Sequence, residues 1–277
     1  MIPVSRIIDN YPNIVDFFTI EWFESELKKD QKDIHLLAKQ LTFDEDDDAS
    51  FIYLEHVEKC LNELQDCIKQ NKNHFKGFTH KERYHGILAE MEIGLMLKEM
   101  GFDIELEPLT QDGKSSDIKI TDGETKIYFE VSTRIGPPTH WENIENRSSK
   151  IGISEFRSPS NFKHKILHES SQLSKNNPGI VALKIDPSSI MEIENIIRGF
   201  GFSRVWGNGI YIEPGERINN SFISALLIYC YYIAEKEEIY TVFCTNPEAY
   251  FPLPISLIEK FNLCCTRTIT PIISTLQ

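Results

Sequence analysis

Two carboxylates, Asp117 and Glu130, stand in the stretch SSDIKITDGETKIYFEVST, residues 115–133, which otherwise alternates like an ordinary β-hairpin. With Asp122-Gly123 as a two-residue turn, Thr121 faces Glu124, Lys119 faces Lys126 and Asp117 faces Tyr128. The pleat then sorts the side chains. Ile118, Ile120, Ile127, Phe129 and Val131 share one side, and Asp117, Tyr128, Glu130 and Ser132 share the other. Asp117 and Glu130 become diagonal neighbours with Cβ atoms about 7 Å apart, near enough for both carboxylates to hold one divalent cation. The same face is equally the solvated side that many antiparallel hairpins carry, so the hairpin alone leaves both readings open.

A third acid lies upstream, in GILAEMEIGLMLKEMGF, residues 86–102. At helical spacing Glu90 shares a face with Ile93, Gly94 and Leu97, whereas Glu92 and Glu99 have easier routes to solvent. A carboxylate aimed at an apolar side is costly unless it is paired or bound to a metal; the alternative is a residue at the stripe's edge with its head in water.

The elements that must position these acids follow from periodicity. IVDFFTIEWFESELKKD and SFIYLEHVEKCLNELQDCIKQ repeat apolar residues at three and four, the second with Phe51, Leu54, Val57, Leu61, Leu64 and Ile68. Between them DEDDD, residues 44–48, reads as a solvated loop with Ser50 as helix N-cap; it lacks the spacing of a calcium loop. A helix from about Lys81 to Met100 stops at Gly101. GFDIELEPL reads as a strand, the hairpin follows, and residues 134–160 are loop-rich. A helix at 161–175 leads into IVALKI, a run suited to a strand buried on both faces. Then come a helix at 188–199, a strand pair around Gly207-Asn208-Gly209, the apolar segment 222–233 and IYTVFCT. The middle third thus runs αβββαβ. Three regions are expected: an acidic helical region 1–75, a core 76–190, and an α/β extension 191–277.

Composition narrows the class. Apolar residues are 41% and charged residues 26% of 277, ordinary for a globular protein, and no apolar run reaches the roughly 20 residues of a membrane span. No signal peptide is expected from the first residues. The six cysteines form no CxxC pair, which suits a reduced, cytoplasmic protein, and Cys60 and Cys67 fall on one helical face as small core residues. A net charge of -13 argues against nonspecific coating of nucleic acid. The distribution is uneven, however: residues 1–70 carry 7 basic and 16 acidic side chains, whereas 133–175 carry 7 and 4, together with His140, His164 and His168.

Glu90 on a helix ending in MGF, SSD at 115–117 and FEVS at 129–132 together resemble the PD-(D/E)XK nuclease superfamily over roughly residues 80–185. The resemblance implies a restriction-endonuclease-like core: a central mixed β-sheet flanked by helices, α/β in class, with the N-terminal helical region added. It implies Asp117 and Glu130 as ligands of Mg2+ or Mn2+, Glu90 as a third acid and the Val131 carbonyl as a further ligand. It also implies metal-dependent hydrolysis of phosphodiester bonds in DNA, with the basic segment 134–175 bringing the backbone to the acids. Two positions depart. Ser116 stands where the family has Pro, and Ser132 where it has Lys. A hydroxyl cannot supply the positive charge that favours hydroxide formation.

Lys165, on a helical stripe with His168 and Gln172, is the candidate substitute, as the resemblance also implies; the alternative pairs Lys165 with Glu169 as a surface ion pair. His164 and His168 are four apart without the general base of a zinc motif, and suit phosphate contact or plain surface. Asn246 reads as part of a structural turn. The rival expectation is an inactive nuclease-fold protein that binds nucleic acid or a protein partner. The acidic N-terminal helices would serve such a partner or a homodimer.

Overall fold

The computed structural model describes residues 10–42, 48–110, 113–133, 168–185, 204–206, 209–211, 222–233, 237–246, 249–265 and 267–269. The chain is mixed α/β and divides into two compact units. The first comprises Met1–Glu107 and Tyr231–Ile239, the second Pro108–Cys230 and Tyr240–Gln277. The division falls after Glu107, so the helix that carries Glu90 groups with the N-terminal helices. The helix expected at 188–199 lies outside the described residues. Among the described residues no helix is long and apolar enough to cross a membrane, and the six cysteines are free thiols.

The first unit is built on helices α1 (Pro12–Phe18), α2 (Ile20–Glu26), α3 (Leu36–Lys39), α4 (Asp48–Glu63), α5 (Gln65–Gln70), α6 (Lys72–Phe75) and α7 (Lys81–Glu99), followed by strand β1 (Ile104–Leu106). Two helices expected to be continuous are broken. Thr19, at φ 57°, separates α1 from α2, and Leu64 separates α4 from α5. The expected capping role of Ser50 is also corrected: α4 starts at Asp48, and the Ser50 hydroxyl donates to Gln40 Oε1 at 3.2 Å. The orphan N–H groups of α1 are met from another helix, since the Glu58 carboxylate accepts from the Asn13 and Ile14 amides at 3.0 and 2.8 Å. α7 ends where Gly101 adopts φ 83°, a conformation that costs glycine little. Gly94 lets α7 approach β1, because a Cβ there would lie 3.4 Å from Ile104 Cδ1 and from Leu64 Cδ1.

The rings of Phe18, Trp22 and Tyr84 pack against His35 in this unit, within an aromatic core that also holds Phe23 and Phe78. Its Nδ1 accepts the Leu37 amide at 3.2 Å, and its Nε2 donates to the Phe78 carbonyl at 3.2 Å. One proton therefore satisfies both nitrogens, and a second would set an N–H donor against the Leu37 amide. Burial lowers the His35 pKa from 6.5 to about 4 against the opposing charge of Glu26. The unfolded chain thus binds the proton more tightly, so the stability from neutral His35 is complete above pH 6.5 and is lost as the pH falls toward 4. At about 1.4 kcal/mol per pKa unit the loss is about 3 kcal/mol. Urea midpoints taken between pH 7 and pH 4 should fall accordingly, and a His35→Gln variant, less stable at pH 7, should fall less.

The second unit is built around strands β2 (Ile118–Asp122), β3 (Thr125–Thr133), β4 (Gly179–Lys184), the parts within it of β7 (Ala225–Ile233) and β8 (Glu237–Thr245), and β9 (Arg267–Ile269), neighbours in that order in a mixed sheet. β2 and β3 are antiparallel, while β3–β4, β4–β7 and β8–β9 are parallel. Every residue of β4 is buried, as the apolar run 180–183 favours, and the burial extends to Lys184. β5 (Arg204–Trp206) and β6 (Gly209–Tyr211) form the expected small antiparallel pair. Helix α8 (Ile255–Cys264) stacks Phe261 on Phe243 with ring centroids 4.3 Å apart.

The hairpin register is corrected by one turn position. Asp122 pairs with Thr125, so the loop is Gly123-Glu124. Gly123 has φ 62°, and a positive φ at the first loop position alone marks a type II′ turn. Asp122 is held by α8: Ser256 Oγ donates to its Oδ2 at 2.9 Å, and Lys260 Nζ lies 3.1 Å from Oδ1. These contacts, the Ser256 hydrogen bond first, lower its pKa. The shift moves each facing pair by two positions in total, so the sorting of side chains onto the two faces survives.

Candidate functional site

The corrected register brings Asp117 beside Glu130. Ile118 pairs with Phe129, and one step further the ladder is replaced by contacts from Asp117 on either side of Glu130. The Asp117 N–H donates to the Phe129 carbonyl at 3.2 Å, and its Oδ2 accepts the Val131 N–H at 2.6 Å. Glu130 is 1% exposed, and Ser116 Oγ lies 2.7 Å from its Oε1 and 3.0 Å from the Phe129 carbonyl. The hydroxyl has one proton, and the carboxylate is the stronger acceptor. Ser116, where the resembled family carries Pro, thus supplies Glu130 with a donor that a proline side chain lacks.

The polar side of the hairpin is wet only toward the turn, where Thr121 and Lys126 are exposed, and not around Asp117 and Glu130. Tyr128, Glu130 and Ser132 are buried and Asp117 is half-buried. The parallel pairing of β3 with β4 sets Glu130 against Val181 and Ser132 against Leu183, which belong to the apolar cluster that includes Leu173. The end of a helix, residues 168–170, adds a further carboxylate on this side. Ser132 Oγ donates to Glu169 Oε1 at 3.1 Å, and Gln172 Nε2 donates to Glu169 Oε2 at 3.0 Å. Ser132 therefore holds an acid where the family pattern has an ammonium. Glu169 is the residue that sequence reasoning placed in a surface pair; its spacing of three from Gln172 was the available signal. Lys165 and His164 lie outside the described residues, as does most of the basic segment 134–175, and the His168 side chain is 75% exposed. Lys184, buried at the end of β4, pairs in register with Thr133 and so sits on the opposite face from Glu130. Asn246 braces a loop, its side chain donating to the Ile223 carbonyl at 2.8 Å.

Glu90 is gathered with other residues, within the first unit. Its Oε2 lies 2.5 Å from His74 Nε2, and His74 Nδ1 lies 3.1 Å from Glu107 Oε1. Burial acts to lower the His74 pKa, but the hydrogen bond and charge of Glu90, with the charge of Glu107, outweigh it and raise the value. Burial raises Glu90, with His74 opposing. The three ligand atoms lie within 4.8 Å of one another, the one such grouping of His, Cys, Asp or Glu donors among the described residues.

Glu92 reverses its expectation of an easy route to solvent. It is 4% exposed and its Oε1 lies 3.1 Å from His56 Nε2. The reason is that α7 is buried on nearly all sides, and α4 supplies the partner that makes the burial tolerable. Tyr53 and Tyr84 share a 2.7 Å hydrogen bond in the same unit, and burial raises both phenols above their usual range. Compared with protein-family models, with curated proteins and with solved structures, the chain matches none.

Proposed function

We propose that the chain is a metal-dependent nuclease that hydrolyses phosphodiester bonds in DNA through Asp117 and Glu130. The observation that carries this reading is the pinning of Asp117 across Glu130 by hydrogen bonds to the residues before and after it. A solvated hairpin face has no need of that arrangement, nor of a carboxylate buried beside a serine hydroxyl. The order of elements supports it as well: α7, β1, an antiparallel β2–β3 pair, a helix ending at 170, and β4 parallel to β3 agree with a restriction-endonuclease-like core.

The donors at Asp117 and Glu130 are all oxygen, which is the chemistry Mg2+ and Mn2+ prefer. Asp117 and Glu130 would hold such an ion, whose chemistry would be to acidify water and offset charge on the scissile phosphate. Ser116 and the Val131 amide orient the two carboxylates. Glu169, tied to Ser132 and Gln172, lines the same side, and Lys165 is the candidate cation for it. DNA would arrive along segment 134–175, in a cytoplasmic setting that suits the free thiols. The N-terminal helices would be available to a second copy or a protein partner.

One observation favours the second reading, an inactive nuclease-fold protein: the Ser132–Glu169 hydrogen bond leaves negative charge where the family's lysine would stand. The test is cleavage of single-stranded, duplex and branched DNA, and of RNA, with Mg2+ or Mn2+ and with chelator. Metal-dependent cleavage supports the enzyme. Absence of cleavage from every substrate, with no divalent-metal binding in calorimetry that depends on Glu130, leaves the inactive reading.

A further inference from the structure

We propose that His74, Glu90 and Glu107 form a binding site for a first-row divalent metal ion of the Zn2+ type, built from donors other than the hairpin carboxylates. The proposal does not rest on the nuclease reading. The donors come from three segments of the first unit: His74 from α6, Glu90 from the middle of α7, and Glu107 from the residue after β1. One ligand atom from each residue lies within 4.8 Å of the other two, with Glu90 Oε2 2.5 Å from His74 Nε2 and Glu107 Oε1 3.1 Å from His74 Nδ1. Zinc bonds of about 2.0–2.2 Å to nitrogen and oxygen need donors roughly 3–3.6 Å apart, so binding requires one of the two carboxylates to swing toward the nitrogen that takes the ion.

The donor chemistry selects the ion. One imidazole and two carboxylates suit zinc, manganese or iron, whereas an imidazole is a poor ligand for magnesium or calcium. Three protein ligands with one open side is also the composition of zinc sites that keep a water position. Solvent reaches the cluster, for the side chains of His74, Glu90 and Glu107 are 19%, 12% and 25% exposed. The direction of Glu107 is set by its backbone, at φ 53° immediately before Pro108. Without metal the same contacts leave His74 between the two glutamates, with the Arg83 charge also acting on His74 and Glu90. The cluster is thus either a metal-ligand set or a self-contained polar network.

Equilibrium dialysis of the metal-stripped full chain against Zn2+ alone decides between them. Wild type and an Asp117→Asn/Glu130→Gln variant should each bind one tight equivalent that excess Mg2+ does not displace. His74→Gln and Glu107→Gln should weaken it at least about tenfold, the range seen when metal shells are disturbed. X-ray absorption of the zinc-loaded wild type should show a nitrogen–oxygen shell with one imidazole and no sulfur. If His74→Gln does not fold by circular dichroism, Glu107→Gln, altered at a quarter-exposed side chain, carries the test. No bound equivalent, an equivalent unchanged in the folded variants, or a shell containing thiolate overturns the proposal.

Discussion

Glu130→Gln is expected to lower metal-dependent cleavage by about 10³-fold or more, with urea midpoints close to those of wild type. Both halves follow from the same hydrogen bonds. The substituted side chain keeps an amide oxygen that can accept from the Ser116 hydroxyl, which lies 2.7 Å from Glu130 Oε1, so the local geometry has a replacement acceptor. What it loses is the charge that, on the proposed reading, would hold a divalent ion. Forfeiting about 4 kcal/mol of stabilisation of the reacting phosphate corresponds to that rate factor. Asp117→Asn should behave alike, because its amide oxygen can still accept the Val131 N–H that lies 2.6 Å from Asp117 Oδ2. Single-turnover cleavage of a preferred substrate with Mn2+ measures the effect. Cleavage undiminished in both variants would remove the hairpin as the reacting centre. Loss restricted to Lys165→Ala would instead assign the reacting centre to Lys165.

His56→Ala is expected to cost about 3–5 kcal/mol of stability, comparable to the whole margin of many domains. Glu92 is almost wholly buried on α7 and faces the His56 ring at 3.1 Å. Removing the imidazole takes a partner at 3.1 Å from a side chain that stays buried, and losing one partner of a buried polar pair is costly. The double variant His56→Leu/Glu92→Met, which removes both polar groups, should recover much of the loss, because replacing a buried pair with apolar volume is often close to neutral. Urea midpoints of the single and double variants test the coupling, and a single variant within about 0.5 kcal/mol of wild type would show that other contacts hold Glu92.

What the sequence by itself determined was local. Periodicity placed helix Lys81–Glu99 and its stop at Gly101, the fully buried β4, the small β5–β6 pair and the two faces of the hairpin, because each depends on residues close together in the chain. Face sorting even survived the register correction, since the pleat repeats every two residues. Partners distant in sequence were decided only by the tertiary structure. Asp122 is claimed by Ser256 and Lys260, 134 and 138 residues away, and that contact accompanies a turn at Gly123-Glu124 in place of Asp122-Gly123. Glu90 was seen as an inward-facing acid from helical spacing, but its partners His74 and Glu107 come from other elements. Glu92 looked solvent-bound because nothing in α7 announces that a second helix will cover it with His56. At Ser132 the sequence showed a lysine missing, and only the packing of the helix over β3 showed Glu169 in hydrogen-bond reach of that hydroxyl. A residue's own spacing says which way its side chain leaves the backbone; what meets it there is set by chain segments that the spacing does not see.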